Sequence, residues 1–200
     1  MPTVTLYPSS YDTENYSWRT SSNISRGYTS SSSTTYARFG IPTYGGEAYI
    51  YYKFDTSSIP DGATIVSVSC TAKAAANGNS TTTPVKQIQM ATGTTLKGTA
   101  TSISSTATER TLDVGSWTLA ELRDIRIRPY AKTGSSTASN YNLDFYGATL
   151  TIEYTLPGPS YTVKVKDNGS WVDATKVLVK SSGSWTEATN VLAKDNGTWK

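Results

Sequence analysis

A chain of 200 residues suits one ordinary domain with a small appendage, and a net charge of +3 is too weak to argue for a nucleic-acid partner. Apolar residues make up 36% and charged residues 16%, with Ser, Thr, Gly and Tyr filling the difference; 14 Tyr and 5 Trp separate it from disordered chains and fit an all-β protein with polar loops. Histidine is absent and cysteine occurs once, which removes Ser-His-Asp and Cys-His catalysis, most zinc sites and any intrachain disulfide.

Thr3 to Tyr7 reads as a first strand ended by Pro8. No basic region followed by an apolar one opens the chain, and no run approaches a membrane span, so synthesis in a cytoplasm without membrane insertion is expected. From Ser9 to Thr35 the chain is dense in Ser, Thr and Asn, with Tyr11, Tyr16, Trp18 and Tyr28 scattered through it. That predicts one or two short strands among long loops, which carry function or pack around a sandwich edge.

Ala48 to Phe54 reads as a strand buried on both faces, bounded by Gly45-Gly46 and Asp55. Pro60-Asp61-Gly62 is a turn signal. Val66, Val68, Cys70 and Ala72 alternate with polar residues and predict a half-buried strand, with Cys70 in the core. Asn77 to Pro84 reads as a loop; Val85 to Met90 and the stretch from Arg110 to Val114 read as strands. Ala91 to Thr108 carries too much Thr, Ser, Ala and Gly to be assigned.

Thr118 to Asp124 is the best helix candidate, because Thr118 and Glu121 have capping-box spacing and Leu119 and Leu122 share a face. It leads into Ile125-Arg126-Ile127-Arg128, with isoleucines inward and arginines outward. A solvated face is the expected state of Arg123, Arg126 and Arg128, with a basic patch as the alternative. Leu143, Phe145, Ala148, Leu150, Ile152 and Tyr154 form the apolar set of a long strand in which Gly147 marks a face-switching bulge. Pro157-Gly158-Pro159 begins a stiff linker over residues 157–162.

Residues 163–200 repeat with a period of 14: Trp171, Trp185 and Trp199 keep that step, as do Lys166, Lys180 and Lys194. The shared unit is V-x-[VA]-K-x-x-G-[ST]-W-x-[DE]-A-T-x, and the third copy stops at Trp199-Lys200. Asn168-Gly169, Ser182-Gly183 and Asn196-Gly197 sit where a hairpin turn is needed. One hairpin buries little, so the hairpins are expected to stack or pair, with the tryptophans as a shared apolar ridge and the lysine stems over it. The alternative is an exposed surface for sugars or a partner protein. So short an array is marginal alone, and oligomerisation or docking on another protein is expected.

The expected architecture is an antiparallel β-sandwich of jelly-roll type over residues 1–156, then the linker, then the hairpin repeats. Without histidine, the remaining catalytic option is a carboxylate pair, Asp55 with Asp61 or Asp144 with Glu153. The first two are accounted for by turn bonding and the second two by the polar face of a strand. No metal-loop spacing is present around Asp55 and Asp61, so the expectation is a non-enzyme without metal or cofactor.

Three stretches carry a resemblance. Tyr52-Lys53-Phe54-Asp55 with Ile59-Pro60-Asp61-Gly62-Ala63-Thr64-Ile65 resembles segments of jelly-roll modules on bacterial and phage surfaces. Trp117-Thr118-Leu119-Ala120-Glu121-Leu122, followed by a strand and the closing strand to Tyr154, resembles phage tail and other virion proteins with a jelly-roll domain. The Gly-Ser-Trp repeats are similar to lysine- and tryptophan-rich repeats that end many phage minor structural proteins. They are also similar to choline-binding repeats, but their period is shorter and the extra aromatics of a choline cage are missing. The resemblance implies a virion component: a capsid-decorating or head-fibre protein, or a minor tail appendage. Its partners would be other capsid or tail proteins in a symmetric homo-oligomer.

Repeat residues Trp171, Trp185, Trp199, Lys166, Lys180 and Lys194 are the candidate assembly contacts. The second functional expectation is a module for host surface polysaccharide, with Tyr11, Tyr16, Trp18, Tyr28, Tyr36 and Tyr44 stacking on sugar rings.

Overall fold

The computed structural model describes residues 1–12, 20–40, 47–79, 85–132, 139–156, 164–167, 170–173, 177–181, 184–187, 194–195 and 198–199. The chain divides into two compact units, Met1–Leu156 and Pro157–Lys200.

The first unit holds twelve strands in chain order: β1 (Thr3–Leu6), β2 (Pro8–Asp12), β3 (Thr20–Ser22), β4 (Ala37–Gly40), β5 (Glu47–Tyr49), β6 (Tyr51–Phe54), β7 (Thr64–Asn79), β8 (Val85–Thr92), β9 (Thr95–Ser102), β10 (Thr108–Thr111), β11 (Ile125–Lys132) and β12 (Ser139–Thr155). One short helix, α1 (Leu119–Leu122), precedes β11. One sheet runs β10-β7-β12-β4-β3, with β1 also on β12; the other runs β2-β6-β11-β8-β9, with β5 also on β11. All of these pairings are antiparallel.

The strand order defines the fold. From β4 onward, with β5 and β6 taken as one strand broken at Ile50, the chain makes eight visits. The first, eighth, third and sixth lie side by side as β4, β12, β7 and β10. The second, seventh, fourth and fifth lie side by side as β6, β11, β8 and β9. That interleaving is a jelly roll, two Greek keys folded into one sandwich. Strands β1, β2 and β3 extend its edges.

Between the sheets lie Phe39, Tyr52, Ile88, Met90, Leu122, Ile127, Leu143, Phe145 and Leu150, all fully buried. Cys70 is in this core, and burial pushes its thiol up to about 12, which keeps it protonated and unreactive. The long strand β12 has the expected apolar set, and its ladder with β7 slips between Phe145 and Gly147, leaving Tyr146 as the extra residue. Gly147 takes φ 137°, a conformation side chains resist.

Several boundaries differ from the sequence reading. Pro8 begins β2 instead of merely ending β1; β2 is an edge strand, where a missing N–H costs no ladder bond. Val66 is exposed and not on the inward face of the strand, because the ladder slips between Ser67↔Glu153 and Ile65↔Tyr154. Val66 is the bulged residue, and Ile65 and Val68 take the inward positions. Asn77 to Asn79 is strand, since pairing with β12 overrides the low strand propensity of Asn and Gly. Thr95 to Ser102, unassigned from sequence, is β9, joined to β8 by the turn at Gly93-Thr94 with Gly93 at φ 56°.

Helix α1 has the expected capping box: Thr118 Oγ1 accepts from Glu121 N, and Glu121 Oε2 accepts from Thr118 N at 2.8 Å. Lys97 Nζ donates to Glu121 Oε1 at 2.6 Å. Lys97 first, then the Thr118 bonds, hold the Glu121 carboxyl at about 2 against an ordinary value of 4.5. A carboxyl depressed on folding stabilises above its unfolded value and loses that contribution as pH falls toward the folded one. Calorimetric scans should therefore show a melting temperature that declines from pH 4.5 toward 2, and Glu121→Gln should remove part of that decline. An identical slope in the variant would remove this carboxylate from the acid response.

Candidate functional site

Two surfaces combine aromatic and cationic side chains. The first is the outer face of the sheet centred on β11. Strand alternation sends Ile125, Ile127 and Ala131 into the core and Arg126, Arg128, Tyr130 and Lys132 outward. From the neighbouring β5 and β6, Tyr49, Tyr51 and Lys53 share that face, while Tyr52 and Phe54 point inward.

The outward arginines are not a solvated face, contrary to the sequence reading. Arg126 is 8% exposed. Its Nε and Nη2 donate to Asp124 at 2.9 and 3.0 Å, and its Nη1 donates to Asp12 at 2.5 Å. Burial works against its charge, and the two carboxylates outweigh it, leaving the guanidinium pKa raised. Lys53 Nζ is 3.6 Å from the same Asp12 carboxylate, and the Arg126 guanidinium lies over the Tyr51 ring at 5.8 Å. Arg123 is likewise structural, donating to the Thr56 and Ile59 carbonyls and to Asp61 at 2.6–2.7 Å. No joint basic patch forms.

Arg128 is in a different state. Its guanidinium lies 4.8 Å from the Tyr130 centroid and 5.6 Å from that of Tyr49, rings that are 6.2 Å apart. Its Nε is buried and has no hydrogen-bond partner among the described residues. Lys132 donates to Glu47 at 2.6 Å, and burial, then Glu47, raises the Tyr130 pKa.

The sequence-derived tyrosines fall elsewhere. Tyr11 and Tyr28 are half-buried, 6.2 Å apart, and pack against the core; Tyr28 meets Tyr52 edge-on. Both flank the core and do not form an open stacking platform. Tyr36 immediately precedes β4 of the other sheet, 5.0 Å from Tyr146, with Arg38 over its ring at 5.0 Å. Tyr16, Trp18 and Tyr44 lie outside the described residues. The strand ends that flank residues 13–19, 41–46, 80–84 and 133–138 do meet at one end of the sandwich: Thr20 pairs with Gly40 and Gly40 with Asn142, while Lys132 pairs with Glu47 and Val85.

Each candidate carboxylate has a structural partner. Asp144 is 1% exposed and takes both oxygens' worth of Arg38, at 2.7 and 2.8 Å, so its place on an open polar face is corrected to a clasp between β4 and β12. That bond is the main cause that raises the Arg38 pKa. Glu153 accepts from Ser67 Oγ, and Asp55 accepts from Ser57 N at 2.9 Å, which holds its carboxyl below the usual range. Among the described residues no group of three or more acidic or cysteine side chains is placed to hold a metal, and no helix is long and apolar enough to cross a membrane.

The second surface is the repeat unit. It forms three separate two-stranded hairpins: β13 (Lys164–Asp167) with β14 (Ser170–Asp173), β15 (Leu178–Ser181) with β16 (Ser184–Glu187), and β17 (Lys194–Asp195) with β18 (Thr198–Trp199). Register places Lys166 opposite Trp171, Lys180 opposite Trp185 and Lys194 opposite Trp199. Directly opposed residues share a face. In the middle hairpin Trp185 is 66% exposed and Leu178 50% exposed, with Lys180 Nζ 5.9 Å from the indole centroid. Trp185 is thus open to solvent and not covered in a ridge shared by stacked hairpins, and among the described residues the hairpins do not join into one sheet.

Sequence reading missed Tyr49, Tyr51, Arg128 and Tyr130 as one face. The signal was present as period-two alternation: Tyr49-x-Tyr51-x-Lys53 and Arg126-x-Arg128-x-Tyr130-x-Lys132. What hid it was the pairing of two strands more than seventy residues apart.

No protein-family model matches the chain, and no curated protein or solved structure matches it either.

Proposed function

We propose that this chain is a non-enzymatic structural component of a bacteriophage particle, a capsid-decorating or head-fibre protein or a minor tail appendage. The observation that carries the reading is the repeat register. Three hairpins present the same Lys opposite the same Trp, and the described pair is open to solvent. A solvent-exposed indole with a cation beside it is suited to seat in a pocket of another subunit. Three such hairpins in one chain multiply a weak contact by effective concentration. The jelly roll, with its own closed core, would form the other functional part. A host-glycan role is the second reading, favoured by the Tyr49–Arg128–Tyr130 face.

Immunogold electron microscopy of particles from an induced lysate, with antibody raised against the full chain, tests the assignment. Gold on capsids assigns decoration or a head fibre; gold at one tail end assigns an appendage. Gold on cells, with particles bare, overturns the virion reading. Trp185→Ala should change the stability of the chain by no more than an ordinary surface substitution does, about 0.5 kcal/mol. It should also cut the gold per particle about fivefold or more, as loss of a contact worth one or two kcal/mol does. Undiminished labelling would remove the repeats from assembly.

A further inference from the structure

Among the cations on the outer face of β11, Arg126 and Lys132 have carboxylate partners. Arg128 has neither a carboxylate nor a hydrogen-bond acceptor for its buried Nε among the described residues. Its planar group lies against both the Tyr49 and Tyr130 rings, which sit on one side of it, and with Nε buried the two Nη groups are the donors left for bonding. A partly desolvated guanidinium without an acceptor is costly, and an incoming anion recovers that cost.

We propose that Arg128, Tyr49 and Tyr130 form a binding site for an acidic polysaccharide, with the carboxylate of a uronic-acid unit on the guanidinium and the sugar's C–H face against the tyrosines. Charge complementarity selects the anion, because the other cations of the face are already paired. The surroundings select a sugar. Two tyrosine rings lie side by side at 36°, and β8 places Gln87 opposite Tyr130 and Gln89 opposite Arg128. Gln89 is fixed by donating to the Gly98 carbonyl at 2.8 Å, and Gln87 is half-buried beside the ring. Amides and aromatic rings together match hydroxyls and ring C–H groups, and the open face of a sheet suits a linear chain. This site is independent of where the protein resides, so it stands or falls separately from the virion reading.

The test is titration of the full-length chain with polygalacturonate, with neutral dextran and polyglutamate as comparators. Polygalacturonate should bind and dextran should not. Arg128→Gln should weaken binding at least about 10-fold, the loss of one charge-assisted contact, and Tyr130→Ala should weaken it as well. Arg128→Lys should fail to restore it, since an ammonium neither stacks nor forks. Arg110→Gln, an equal charge change on the opposite sheet, should bind as the parent does. Near-UV circular dichroism and melting establish that each variant folds. Binding by Arg128→Gln within twofold of the parent, an equal loss in Arg110→Gln, equally tight Arg128-dependent binding of polyglutamate, or no binding of polygalacturonate would each overturn the proposal.

Discussion

Tyr52→Ala is expected to destabilise the first unit by about 3–5 kcal/mol, the range for deleting a fully buried aromatic side chain. Tyr52 has no exposed surface and stacks on Phe145 at 4.7 Å. Tyr28 and Phe39 meet it edge-on at 6.0 and 6.4 Å. It joins β6 in one sheet to β12 and β4 in the other, so its loss opens a cavity where the two sheets are held together. Its hydroxyl donates to the Ile24 carbonyl at 3.1 Å, and burial raises its pKa far above the ordinary range, so it stays a neutral donor. Tyr52→Phe keeps the ring and should cost about 1 kcal/mol, the usual net value of one such bond. Urea unfolding followed by near-UV circular dichroism separates the two. An alanine variant that unfolds within 1 kcal/mol of the parent would show that the sandwich does not depend on this residue.

Gly147→Ala should cost about 3 kcal/mol or more, from backbone strain at positive φ added to overpacking. At φ 137° a side chain is strained whatever the space around it. There is also no space: an added Cβ would fall on the carbonyl oxygens of Thr29 and Ser30. Those atoms cannot step aside cheaply. Thr29 O accepts from Ala148 N at 3.0 Å, and Thr29 Oγ1 donates to the Tyr146 carbonyl at 2.7 Å. The next residue, Ser31, is buried, with its hydroxyl among Thr71, Thr149 and Glu109 at 2.8–3.1 Å. The segment around Thr29 is thereby laid across the bulge of β12, and glycine is what permits the approach. A thermal scan should show a midpoint lower by roughly 6–12 °C. A drop under 2 °C would mean the bulge relaxes freely.

Much of this arrangement was legible in the chain. Alternation placed Leu143, Phe145, Ala148, Leu150, Ile152 and Tyr154 on one face and put the bulge at Gly147, because an extra residue in a strand flips the parity of every residue after it. Thr118 and Glu121 announced the helix start through a local bond that needs no tertiary partner. The 14-residue repeat announced three hairpins with Lys facing Trp, since two-residue turns set register locally.

Other features depended on partners far away in sequence. Arg126 became buried only because Asp12, 114 residues earlier, lies beside it. Asp144 became a buried clasp through Arg38, 106 residues earlier. Val66 turned outward because of a slip against Glu153 and Tyr154. Tyr49 and Tyr130 became one aromatic pair only when β5 lay beside β11. By itself the sequence determined the all-β class, the turns, the repeat and the parity of the long strands, all set by interactions within a few residues. Tertiary structure decided which strands are neighbours, and with that which charges are satisfied and which, like Arg128, are left against two aromatic rings with no acceptor for a buried Nε among the described residues. Burial and charge pairing are properties of juxtaposed strands, and no local pattern carries them.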